Sequence, residues 1–98
     1  MAKGERIAIE NVIRPGHLRS VDADMYQAMK QAFLKVLPKR SPGLTVAEIQ
    51  GRVTDHLPET LYPGGAKAGW WQKAVQLDLE AKGVIAREKT SPIRFHKV

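Results

Sequence analysis

Cysteine is absent from the 98 residues, which removes disulfides, thiolate metal sites and cysteine nucleophiles together. Histidine is scarce: His17, His56 and His96 lie far apart, none with a carboxylate at ligand spacing, so no metal is expected. Aromatic residues make up only 6% of the chain, and its two tryptophans are adjacent. No segment approaches the run of about 18 apolar residues that spans a bilayer. The opening MAKGERIAIENV has no apolar h-region, so the expectation is a cytoplasmic protein with no secretory signal and no membrane partner. GxSxG, HExxH, GxGxxG and CxxC are all missing. Ser20, Ser41 and Ser91 have no histidine and acid beside them in sequence. Neither an enzyme nor a bound cofactor is expected.

What is present suits one soluble domain over residues 1–98, with 43% hydrophobic and 27% charged residues and no internal repeat. The net charge is +6, which favours a polyanionic partner. From residue 82 onward Lys82, Arg87, Lys89, Arg94 and Lys97 stand against Glu88 alone, so the last 17 residues carry +4 of that total.

IAIENVI, residues 7–13, is rich in β-branched residues and predicts a strand; Pro15-Gly16 predicts a turn and LRSV a short partner strand. Asp22 predicts the N-cap of a first helix, with Met25, Met29, Ala32, Phe33, Val36 and Leu37 at helical spacing and Pro38 ending it. Thr45 and Glu48 form a capping box for a second helix, with Leu44 as its hydrophobic staple and Ile49, Val53 and Leu57 on one face. A third helix is predicted over about Lys67 to Lys82, ended by Gly83 in the left-handed conformation. VIAREKT and IRFHKV, split by Ser91-Pro92, predict a C-terminal β-hairpin.

The stretch from Thr45 to Arg87 resembles a winged helix-turn-helix. Leu77, Leu79, Gly83, Val84 and Ile85 are a close variant of the pattern with which such helices end before the wing. The pattern also resembles the N-terminal winged-helix domains of some bacterial restriction endonucleases. PGGAKAGWW followed by VQLDLEAKG is similar to a small bacterial family with a winged-helix-like fold and no established activity. The resemblance implies an α+β domain: a three-helix core, an N-terminal strand or hairpin and a C-terminal hairpin wing.

On a helical wheel the apolar residues of the third helix, from Trp70 to Ala81, fill an arc of roughly 200°. Gln72, Lys73, Gln76 and Glu80 form the remaining stripe, expected to face water or a partner. In a major groove Gln72 and Gln76 are the residues suited to adenine edges, and Lys73 to guanine or phosphate. Asp78 falls inside the apolar arc, where a carboxylate needs a partner; Arg94 or Arg14 is the expected one. Of Trp70 and Trp71, pointing about 100° apart, at most one can be central to a single core contact.

In YPGGAKAGWW, Gly64 and Gly69 have the spacing of a phosphate loop, but Trp70 and Trp71 replace its Lys and Ser/Thr, so no nucleotide cofactor is expected. Lys67 and the amides near Gly65 and Ala66 are expected at a helix N-terminus, where a phosphate can dock. The basic hairpin, with Arg87, Lys89 and Arg94, is expected to meet phosphates. The leading expectation is a small DNA-binding protein, a transcriptional regulator that docks on duplex DNA through its wing and third helix, with a homodimer as a further expectation for palindromic sites. The alternative is a protein-interaction module of the same fold that binds no DNA.

Overall fold

The computed structural model describes residues 5–98 except 12, 15 and 17. Pro15 of the expected turn, His17 and Val12 of the first predicted strand therefore lie outside the described residues; the strand predicted to reach residue 13 ends at Ile9, where the Asn11 turn takes over. β1 (Arg6–Ile9) pairs antiparallel with β2 (Arg19–Asp22), with Ile7 opposite Val21 and Ile9 opposite Arg19. Residues directly opposite each other share a sheet face. Ile9 and Val21 are buried, so the inward face of this hairpin is the one that also carries Arg19.

Strand β2 runs straight into α1 (Ala23–Val36), where the Asp22 side chain accepts from the Met25 N–H at 3.0 Å. That bond satisfies one of the amides a helix start leaves without a partner. Thr45 and Glu48 close the predicted capping box at α2 (Val46–Val53) in both directions. Leu44 and Ile49 join the same buried cluster, as the staple requires. The third helix, α3 (Ala68–Ala81), ends where Gly83 takes a φ of +73°. There the Val84 N–H donates to Leu79 and the Gly83 N–H to Glu80, so a Schellman motif turns the chain into the wing.

The wing consists of β4 (Ile85–Glu88) and β5 (Arg94–Lys97). A strand absent from the sequence reading, β3 (Leu44–Thr45), completes a three-stranded antiparallel sheet in the order β3-β5-β4. Gly43 makes that pairing possible: its φ is +87°, and a Cβ there would run into the Phe95 carbonyl. Among the described residues, two antiparallel sheets and three α-helices thus form an α+β fold with a winged-helix-like arrangement.

Met29, Phe33, Ile49, Val53, Val75, Leu79 and Phe95 are all fully buried, so α1, α2, α3 and the wing share one core. Each such side chain contributes roughly 1.5–3 kcal/mol relative to exposure. The link between α2 and α3 is anchored by Tyr62, which is buried and donates its hydroxyl to the Met25 carbonyl at 2.7 Å. Burial, with the nearby Asp22 charge, pushes the Tyr62 phenol above its ordinary range and keeps it a donor. Among the described residues no helix is long and apolar enough to cross a membrane.

Candidate functional site

Asp78 is fully buried on α3, as its place in the apolar arc requires, but its partners differ from the expected Arg94 or Arg14. Lys82, one turn along the same helix, donates to both carboxylate oxygens at 2.7 and 2.9 Å. The Tyr26 hydroxyl of α1 donates to Oδ2, and the backbone N–H of Glu10 to Oδ1 at 2.8 Å. An i,i+4 neighbour reaches the carboxylate from the end of its own helix, whereas Arg94 is held by the Gly43 carbonyl and Glu48. Burial pushes the Tyr26 phenol up, and the hydrogen bond to Asp78 and that carboxylate's charge push it further in the same direction. Asp78 thereby ties α1, α3 and the end of β1 together.

Beyond Glu10 the chain turns on Asn11, whose side chain accepts from the Ile13 N–H at 2.8 Å and whose carbonyl accepts from the Arg14 N–H at 3.0 Å. This turn brings Arg14 to the rim of a cleft of about 340 Å³ between the N-terminal hairpin and α3. Ile9, Ala74 and Leu77 form its apolar floor. Arg19 reaches across from β2 and lies over the Trp70 ring, 5.0 Å from its centroid. Lys73, one turn further along α3, completes the rim. Glu10 is the one carboxylate lining this cleft among the described residues.

Trp70 and Trp71 separate as the wheel predicts: Trp71 is buried in the core, while Trp70 is 46% exposed, the two rings meeting edge to face at 5.0 Å. The apolar arc therefore stops short of Trp70. Its edge lies at the cleft, where Trp70 and Lys73, three residues apart, are both exposed.

Other expected contacts move. Gln72 is 3% exposed and donates its amide to the Val46 carbonyl at 3.1 Å, so it joins α3 to the start of α2 instead of facing water. Gln76 is 6% exposed, in a groove of about 300 Å³ between α2 and α3. Both were expected on the open stripe; α2 packs across it, because the two helices are joined by a link long enough to fold back. The amides of Gly65 and Ala66, expected to be open to a phosphate, donate instead to Tyr62 and Pro63 in a 3-10 turn. Lys67 is exposed at the N-cap with a φ of +66°, a left-handed conformation uncommon for a lysine.

The wing cations are largely occupied. Arg87 makes two 3.0 Å bonds to the Glu80 carboxylate and lies over the Phe95 ring. The hydrogen bond to Glu80 raises the already high pKa of Arg87. Arg94 donates to the Gly43 carbonyl at 3.1 Å and lies 3.4 Å from Glu48. The backbone N–H of Thr45, together with its hydroxyl and the charges of Arg94 and Arg52, holds the Glu48 carboxyl below its usual range. Lys97 donates to the Leu34 carbonyl at 2.9 Å. His96 contacts the Lys97 carbonyl and the Glu88 carboxylate, and both raise its pKa. Lys89 remains exposed at the hairpin tip and forms no ion pair among the described residues.

Of the cleft residues, sequence reasoning placed Arg14 only as a partner for Asp78 and gave Arg19 no contact. One signal was available for Arg19: it alternates with Val21 on the inward face of a strand, an unusual place for a cation.

Residues 6–95 match a family described as a family of unknown function (DUF6958), and the chain belongs to that family. No curated protein matches the chain. No solved structure matches it.

Proposed function

We propose that the protein is a winged-helix domain that binds duplex DNA as a transcriptional regulator, with its main contact surface on the exposed half of α3 and the N-terminal hairpin. The observation that carries this reading is the concentration of Arg14, Arg19 and Lys73 around exposed Trp70, with exposed Lys67 at the start of α3 and Glu10 the only carboxylate lining the cleft among the described residues. Cations held apart from carboxylates release counterions when they meet phosphates, which is the main source of nucleic-acid affinity. Trp70 offers an apolar face to sugars or bases. With Gln72 packed against α2, the surface suits phosphates better than adenine edges, so weak sequence discrimination is expected. The wing contributes Lys89 at its tip.

Binding to a random duplex across a salt series tests this. Five cations predict a slope of log K against log salt of about −4.5, and Lys73→Gln should make it shallower by about 1. No binding at low salt overturns the reading. The protein-interaction alternative is supported by Ile13 and Leu18, which are 65% and 63% exposed in the segment joining β1 to β2.

A further inference from the structure

We infer that the cleft between the N-terminal hairpin and α3 binds a small acid with a planar apolar body, and that its occupancy competes with DNA. The competition rests on the nucleic-acid reading above; ligand binding itself does not.

About 340 Å³ lies at the lower end of the range for ligand pockets, room for a body of one or two rings but not for a large cofactor. The floor of Ile9 and Leu77 is apolar and already closed to water, and Trp70 beside it is 46% exposed, so a ring laid against that indole removes apolar surface from water. The rim selects the head group. Arg14, Arg19 and Lys73 are three cations against Glu10, and a carboxylate or phosphate between them gains charge-assisted hydrogen bonds that a neutral group cannot. An arginine fork also matches a planar carboxylate in a way an ammonium does not. Arg19 is prepositioned by its contact with Trp70, so little side-chain freedom is lost on binding.

The cleft is also braced from behind. Asp78 holds the Glu10 amide, and the Asn11 turn built on it sets the approach of Arg14. Trp70 and Lys73 belong both to the cleft and to the proposed DNA surface. A bound acid would neutralise the same cations that DNA phosphates need.

The test uses 2-naphthoate as probe, with 2-naphthol as the ring without the charge and acetate as the charge without the ring. The two indole N–H signals of ¹⁵N-labelled protein report binding, and Trp70→Phe assigns them. The Trp70 signal is expected to shift saturably with 2-naphthoate, with a Kd of about 1 mM or tighter. Acetate and 2-naphthol should each bind about tenfold more weakly. Arg19→Gln and Lys73→Gln should each weaken 2-naphthoate about tenfold, while Lys35→Gln, on α1 away from the cleft, leaves it unchanged. No saturable shift up to about 10 mM overturns the proposal. So does equal affinity in the Arg19 and Lys73 variants, or equal binding of 2-naphthol. Saturating 2-naphthoate should also weaken duplex binding several-fold; undiminished duplex binding overturns the competition. If no duplex binds at all, the nucleic-acid reading and the competition fall together, and the indole shifts still decide the cleft.

Discussion

The two hairpins of this protein have opposite electrostatic fates. The C-terminal wing comes from the most basic stretch of the chain, yet Arg87, Arg94 and Lys97 are bound to Glu80, to the Gly43 carbonyl and Glu48, and to the Leu34 carbonyl. The N-terminal hairpin is less conspicuous in sequence, but Arg14 and Arg19 meet Lys73 at a cleft that Glu10 alone among the described carboxylates lines. Counting charges along a chain measures neither surface. What counts is where the carboxylates fall in three dimensions, since a cation already held by a carboxylate has little left to offer a phosphate.

The largest test of that contrast removes the brace behind the cleft. Asp78→Ala leaves the Tyr26 hydroxyl and the Glu10 amide without their acceptor and should cost on the order of 3 kcal/mol. Thermal unfolding should show the midpoint falling by more than about 10 °C. The Glu10 amide should also exchange faster with solvent, whereas an unchanged midpoint would mean that the clamp contributes nothing.

Arg87→Gln probes the opposite surface. Losing the bidentate pair with Glu80 should reduce stability by about 1 kcal/mol or less, because the pair is partly exposed. Duplex affinity should stay within about twofold of the parent. A tenfold loss with a shallower salt slope would make the wing the contact face and invert the comparison.

The smallest expected effect belongs to His96 and Glu88. Because the pKa of His96 is raised in the folded protein, the stabilisation is full below its unfolded value of about 6.5 and fades as pH rises through the folded value. Denaturant unfolding of the parent and Glu88→Gln should therefore differ more at about pH 5.5 than at about pH 8, by less than about 1 kcal/mol. A gap that widens toward alkaline pH would contradict the pairing.

Much of the fold was legible because it rests on local chemistry. Asp22, the Thr45–Glu48 box and Gly83 mark helix ends through bonds that span only a few residues. Strand β3 was not legible: two residues carry no periodicity, and their pairing depends on Arg94 and Phe95, far along the chain, with Gly43 leaving room. The candidate site suffered most. Gln72 and Gln76 lie on a polar stripe of the helical wheel, and only the packing of α2 turned that stripe inward.

By itself, then, the sequence determined the order of helices and hairpins, the buried position of Asp78 and the net positive charge, since each follows from side-chain type and spacing along one element. Tertiary structure decided which partner Asp78 takes, which glutamines are exposed and which cations remain available. Those outcomes depend on groups distant in sequence arriving at the same few ångströms, where hydrogen bonds and ion pairs are made or lost.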